Sequence, residues 1–495
     1  MKKYSLLGIF VFVAFLLQAQ NITDVVRWSN TDYVGTARTL GVGSSFGAMG
    51  GDFSVININP AGIADYRISE FMLTPSLRSS NSNSWFVNDN QARTPNRLNK
   101  LGLDNIGFVI ASDPGSKLTS SNIAIGYSRV ADLNRSATIA GVMPGSITSY
   151  FAEQAQNLTV DELDDFIAYP AYNVGAILKE EDRNYYFSDY SSTPDQPLYR
   201  TQDVYQRGGI DELTLGWAGE YDHRLNMGLS LSMPFARFEE LKTYKEIDSP
   251  ADDVEYFDNL SFVERLNTSG VGFNFKAGFV YKLNSVIRLG GSFHSPTWYS
   301  LNDDYSNTIT YAFTDARGSF DNKYDTPDGA FGYTITTPWR AIGSLGTILR
   351  FGDIRGFLNG DIEYVDYSNA SYKGKSYNNN PAEIAHNNEV NREIVNKLGS
   401  AVNVRLGGEF AYNVFRVRLG YGIERTPYNA DDFYNNKVSF GLGFRDDNFF
   451  IDLGIRLSQY SEGYYPYYVK DASKSPLANI DTNKTRGNLT IGFKF

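Results

Sequence analysis

Three histidines, His223, His294 and His386, and no cysteine bound the chemistry open to this chain of 495 residues. Without cysteine there is no disulfide framework, thiolate metal site, iron–sulfur cluster or cysteine nucleophile. His294 and Ser295 have the residue types of a base and a nucleophile, but neighbours on a strand point to opposite faces, so the pair cannot meet. The Asp-rich stretches 161–165, 252–258 and 321–328 lack the spacing of a calcium loop and read as solvated loop charge. The glycine-rich stretch 41–52 has neither the Gly-Lys-Ser/Thr of a phosphate loop nor the Gly-x-Gly-x-x-Gly of a dinucleotide site. No catalytic residue, metal ligand or cofactor is therefore expected. What remains is a set of ions of both signs, Arg288, Arg340, Asp361, Glu363, Arg405, Glu409, Arg416 and Arg418, with chemistry suited to ion pairing or to gripping a carboxylate.

Those ions recur at alternate positions of segments whose other face is apolar. Val402, Val404, Leu406 and Phe410 alternate with Asn403, Arg405, Gly407 and Glu409, and Val417, Leu419 and Tyr421 alternate with Arg416, Arg418 and Gly420. Period-2 alternation is the signature of a strand with two different faces. Fourteen candidate strands lie near 69–79, 103–113, 121–131, 211–222, 224–235, 270–283, 286–299, 331–350, 353–368, 399–412, 414–425, 436–446, 448–461 and 484–495. Short turns such as Tyr221-Asp222-His223-Arg224 alternate strictly with long connections, the longest spanning 132–210. That asymmetry predicts an all-β fold, a 14-stranded antiparallel transmembrane β-barrel, with apolar positions facing lipid and charges facing the lumen.

Composition agrees. Aromatic residues make up 15% of the chain and charged residues 20%, which is too apolar for a disordered chain. The net charge of −11 argues against nucleic acid as a partner. Residues 1–19, with Lys2, Lys3 and the apolar run Leu6–Leu17, have the layout of a cleaved signal peptide. That run is too short for a spanning helix. Segment 20–67 does not alternate and reads as an N-terminal hatch, a compact plug for the barrel formed by 68–495. The final strand ends on Phe495 and resembles the signal that outer-membrane barrels present to their insertion machinery. The expected setting is thus the outer membrane of a Gram-negative cell, as a monomer in contact with the bilayer and lipopolysaccharide. Divalent cations could bridge the Asp-rich loops to the latter.

Within the hatch, Phe46, Gly47, Gly50, Gly51 and Asp52 precede Asn59-Pro60-Ala61-Gly62. This arrangement resembles the hatch of the FadL/TodX family of outer-membrane transporters for long-chain fatty acids and aromatic hydrocarbons. Arg288–Pro296 resembles that family's mid-barrel strand, and Thr337-Pro338-Trp339-Arg340 resembles its later strand that begins after a proline. The resemblance implies passive uptake of a hydrophobic small molecule, with a lateral exit to the bilayer in the third strand. An uptake route of this kind would be expected to offer a continuous apolar tunnel past the hatch, since burial contributes about 0.8 kcal/mol per CH₂. The same hatch segment also resembles the PorV family, barrels that handle protein cargo in type IX secretion, although PorV has Lys where Gly62 stands. In loop 132–210, Tyr150 and Phe151, and Leu163, Phe166 and Ile167 after a capping box at Thr159 and Glu162, are candidate ligand-capture residues. The lumen ions are expected to hold the hatch.

Overall fold

The computed structural model describes residues 22–87, 93–115, 117–192, 196–248, 254–375, 380–430 and 434–495, so the leader expected at 1–19 lies outside the described residues. Fourteen antiparallel strands close into one barrel, β14 pairing with β1 from Phe71 and Phe493 at one end to Phe86 and Ala478 at the other. In chain order the wall consists of β1 (Glu70–Phe86), β2 (Thr94–Ile110), β3 (Leu118–Asp132, continued as Arg135–Pro144), β4 (Pro197–Tyr221) and β5 (Leu225–Ile247). Next come β6 (Phe257–Lys282), β7 (Ile287–His294 and Trp298–Asp315), β8 (Gly329–Thr336 and Arg340–Phe351) and β9 (Ile354–Asp366 and Ser371–Gly374). The remainder are β10 (Ser400–Tyr412), β11 (Phe415–Arg425), β12 (Tyr434–Arg445), β13 (Phe449–Tyr464) and β14 (Ala478–Lys494).

All short turns lie at one rim. Between β4 and β5 both Asp222 and His223 take positive φ, +50° and +55°, the backbone of a type I′ turn, whose twist matches that of the flanking strands. Large apolar side chains point outward along the strands. Leu213, Leu215 and Trp217 of β4 and Leu229, Leu231 and Met233 of β5 are all exposed, forming a surface suited to lipid and not to water.

The strands exceed the alternating cores found in the sequence. β6 has 26 residues, about 85 Å at the usual rise, against the roughly 9–11 residues that cross a bilayer. The extra length projects beyond the apolar band at the long-loop rim, where neither face must be apolar and alternation therefore fades. The loop expected at 132–210 shrinks accordingly to 145–196, because β3 continues to Pro144 and β4 begins at Pro197.

That loop folds down as a cap. Helix α1 (Ile147–Ala155) and helix α2 (Ala168–Asn173) join barrel residues such as Phe262, Tyr311 and Tyr467 in one buried apolar cluster. A longer helix, α3 (Pro381–Lys397), buries Val390 and Ile394 in a second cluster with Trp28, which lies on the helix formed by residues 22–29. The hatch fills the opposite end of the lumen and packs against wall glycines. A Cβ at Gly228 would stand 2.4 Å from the backbone carbon of Pro60, so only glycine admits the hatch there. Gly228→Leu is expected to lift the hatch from β5 at a cost of about 1–3 kcal/mol. Limited proteolysis at Arg38 and Arg67 should accelerate in this variant, and unchanged protection would contradict the packing.

Candidate functional site

The two glycine-containing stretches of the hatch hold each other. Asn59 caps a one-turn helix, Pro60–Asp65, by accepting from the Ala61 amide at 3.2 Å. Its Nδ2 donates to the carbonyls of Gly47 at 2.6 Å and of Phe279 in β6 at 3.0 Å. The Gly51 amide donates to the Gly62 carbonyl, and a Cβ at Gly50 would meet that oxygen at 2.3 Å. Asp52 caps the turn Phe53–Asn57 and accepts from Thr36 Oγ1 at 2.8 Å and Thr39 Oγ1 at 3.0 Å. Ala61 is fully buried, and Phe46 packs edge-on against Phe357 of β9. Every hatch residue selected from the sequence thus belongs to one body.

The lumen ions meet that body. Asp361 accepts from the amides of Phe46 (3.0 Å) and Gly47 (3.2 Å). Glu409 takes Arg38 of the hatch at 2.9 Å and Arg418 at 2.6 Å, and Arg418 reaches Asp452 at 2.7 Å. Glu363 pairs with Arg340 (2.9 Å) and Arg405 (3.2 Å), while Arg340 also donates to the carbonyl of Ser29 and Arg405 lies over the Tyr33 ring. Arg288 pairs with Asp65 of the hatch at 2.7 Å. Arg416 stands apart at the short-turn rim, donating to the carbonyls of Asn413 and Phe415. His294 is buried with Nε2 2.9 Å from the Ile58 carbonyl and Nδ1 3.4 Å from the Tyr33 hydroxyl, so its ring braces the hatch.

Several hatch anchors carry no sequence signal of their own. Asp65 binds Lys282 at 3.1 Å as well as Arg288, and Asp32 binds Lys437 (3.2 Å) and Arg456 (2.8 Å). Burial alone would raise both carboxyl groups, but these cations outweigh it and hold each well below the usual carboxylate range. Because their folded-state values are depressed, their contribution is complete above the unfolded value of about 4 and is lost only as pH falls further. Protease cleavage at Arg67, beside the Asp65 anchor, should therefore stay flat from about pH 8 to about pH 5 and rise only in stronger acid. Release of the hatch within that flat range would contradict these ion pairs. At neutral pH, Asp65→Asn should strand Arg288, while Lys282 keeps Glu220, at a cost of about 3 kcal/mol, and expose the hatch to protease.

The candidate loop residues lie in the cap. Phe151 is fully buried, edge-on to Phe262 at 5.3 Å, and Phe166 packs on Tyr305 at 4.8 Å. Tyr150, Leu163 and Ile167 belong to the same apolar cluster. The capping box at Thr159 and Glu162 forms, but it starts only a single turn, Val160–Glu162. Leu163, Phe166 and Ile167 do not follow on one helix, because the Asp164 carboxylate takes the amides of Phe166, Ile167 and Ala168 and starts α2 afresh.

Above the hatch lies a cavity of about 410 Å³. It is lined chiefly by polar and charged side chains, with Val26, Leu98, Leu133 and Phe238 among the few apolar ones. Its lining is not that of the apolar tunnel expected past the hatch. Beside this cavity the wall parts. β2 pairs with β3 only from Asn105 to Ile110, whereas residues 94–103 pair with β1 and have no ladder partner on their other edge among the described residues. The continuation of β3, Arg135–Pro144, turns inward, pairs with β4 and touches β1 and β2 through side chains, including Asn96 Nδ2 to Thr138 Oγ1 at 3.0 Å. Leu98 and Lys100 on the open stretch of β2 line the cavity.

A barrel closed by fourteen strands, stoppered by an N-terminal hatch and parted at its third strand, defines the fold class. The chain matches no protein-family model and no curated relative. Among solved structures it is similar to a FadL homologue of Pseudomonas aeruginosa, at 13% identity over 93% of this chain and 98% of that one, TM-score 0.55. It is also similar to the toluene transporter TodX of Pseudomonas putida, at 11% identity over 92% and 97%, TM-score 0.51. At these identities the likeness establishes a shared fold. Neither neighbour is a secretion barrel, so the PorV resemblance gains no support.

Proposed function

We propose that this chain is an outer-membrane transport protein for passive uptake of hydrophobic small molecules, long-chain fatty acids among them. The observation that carries this reading is the parting of β2 and β3 beside the cavity. The paired part of β2, Asn105–Ile110, spans about 20 Å of strand, so the opening starts within the height of the bilayer. A ligand shed from the cap into the cavity can then leave sideways into lipid, where burial of each CH₂ contributes about 0.8 kcal/mol, without displacing the hatch. The fold shared with the FadL homologue and with TodX, named as a toluene transporter, supports the same reading. The half-buried cap residues Tyr150, Phe166 and Ile167 then form the outer capture surface, with Phe151 and Leu163 packed behind them. No step requires a cofactor.

The chain has no cysteine, so a pair introduced at Asn96→Cys and Thr138→Cys can staple the parted strands without background. Uptake of radiolabelled hexadecanoate by a transporter-deficient host should fall severalfold in the oxidised variant and return on reduction. Undiminished uptake through the stapled barrel would contradict lateral exit. Phe151→Ala with Phe166→Ala should slow uptake while leaving insertion intact. If uptake is unchanged in that variant, the cap is packing alone.

A further inference from the structure

The cavity above the hatch has the opposite sign to the chain that builds it. The chain carries a net charge of −11. Of the side chains lining the cavity, ten are Lys or Arg and four are Asp or Glu. Some of those cations are neutralised from behind, since Asp24 pairs with Arg27, Asp104 with Arg78 and Arg486, and Glu363 with Arg340. With Arg425 set aside and these three carboxylates counted as well, two cations remain in excess. The cations come from separate parts of the barrel: Arg27 and Arg340 from the hatch side and β8, Arg78 and Lys100 from β1 and β2, and Lys437 and Arg456 from β12 and β13.

Two of the lining cations have no carboxylate within ion-pair distance. Neither Lys100 nor Lys484 makes an ion pair among the described residues. Lys100 Nζ donates to the Tyr205 hydroxyl at 3.1 Å, and Lys484 Nζ lies 5.4 Å from the centre of the Tyr460 ring. Buried polar atoms also stand unused. Arg78 and Ser80, each 5% exposed, leave Nε and Oγ without a hydrogen-bond partner. Uncompensated buried charge and unpaired donors are costly, and an anion brought among them would relieve both. The apolar side chains of the cavity, Val26, Leu133 and Phe238, with Leu98 at the parted wall, offer room for one hydrophobic body.

From this arrangement we infer that the cavity is a binding site for amphipathic acids, and that it selects ligands with more than one negative charge on the head over monoanions, and monoanions over neutral compounds. The inference rests on the reading of the barrel as an uptake route and specifies what that route accepts. A neutral hydrocarbon entering the cavity would desolvate the cations without replacing their water, whereas an acidic head supplies charge-assisted hydrogen bonds.

The test uses one alkyl chain with three heads: hexadecanol, hexadecanoate and hexadecyl phosphate. Binding is measured to the full-length protein in nanodiscs at about pH 8, above the second phosphate ionisation near 6, with empty nanodiscs as background. Affinity should rise by about tenfold at each added charge and should fall with salt. Lys100→Gln with Lys484→Gln should weaken hexadecyl phosphate by about tenfold while leaving hexadecanol unchanged. Arg355→Gln, exposed at the opposite rim, should change neither. Equal affinity for the three heads, or equal loss of all three in the double variant, would overturn the inference. Cellular uptake separates its failure from that of the underlying reading. Uptake of all three at one rate overturns the selectivity alone, and uptake of none by a correctly inserted barrel overturns the uptake reading with it.

Discussion

A strand exposed to lipid has no water to satisfy its backbone, so the fourteen strands must close on themselves. Closure creates a lumen wide enough to leak, and the rest of the structure answers that consequence. The hatch occupies the lumen, and inward ions of both signs tie it in place: Asp361 on the amides of Phe46 and Gly47, Glu409 on Arg38, and Lys282 and Arg288 on Asp65. Cap helices close the other end through an apolar cluster. With both ends filled, the parted seam between β2 and β3 is the breach that faces the membrane itself, and it is there that the third strand bends away from its neighbour.

Much of this was legible in sequence because two periodicities are enforced by different solvents. Where strands cross lipid, every outward position must be apolar, so Leu229, Leu231 and Met233, or Val402, Val404 and Leu406, announce both the strand and its register. Beyond the bilayer that pressure ends, and the outer halves of β3, β4 and β6 could not be read. The hatch was legible through its glycines, because backbone packed against backbone tolerates nothing else, as at Gly50 and Gly62. Its partners were only half legible. Arg288, Arg340, Asp361, Glu363, Arg405, Glu409 and Arg418 stood out by their place on alternating strands, and all of them reach the hatch or one another. Asp32 lies in irregular chain, and Arg38 and Asp65 lie in helices of five and six residues, too short for a period to mark a side chain as inward. Alternation gives a face but not a height, and the height of Arg416 puts it at the rim.

The cavity departs from what a hydrophobic route alone would require. An apolar tunnel binds a chain by desolvation and discriminates poorly between heads, whereas this cavity places cations on several sides and only a few apolar side chains among them, Leu98 standing at the parted wall. The fold shared with the FadL homologue and with TodX therefore does not fix the chemistry of the lumen, which each sequence writes on the inward positions of its strands.

On the proposed route, ligand leaves through the wall while the hatch stays seated. Asn359 of β9 donates a hydrogen bond to the Ser45 hydroxyl of the hatch at 2.9 Å, so cysteines at these two positions can lock hatch to wall. Uptake of radiolabelled hexadecanoate measured in the oxidised and reduced forms of that variant tests the claim directly. Equal uptake in the two forms is expected if ligand leaves sideways. Uptake that stops on oxidation and resumes on reduction would show that the hatch must move, and would contradict it.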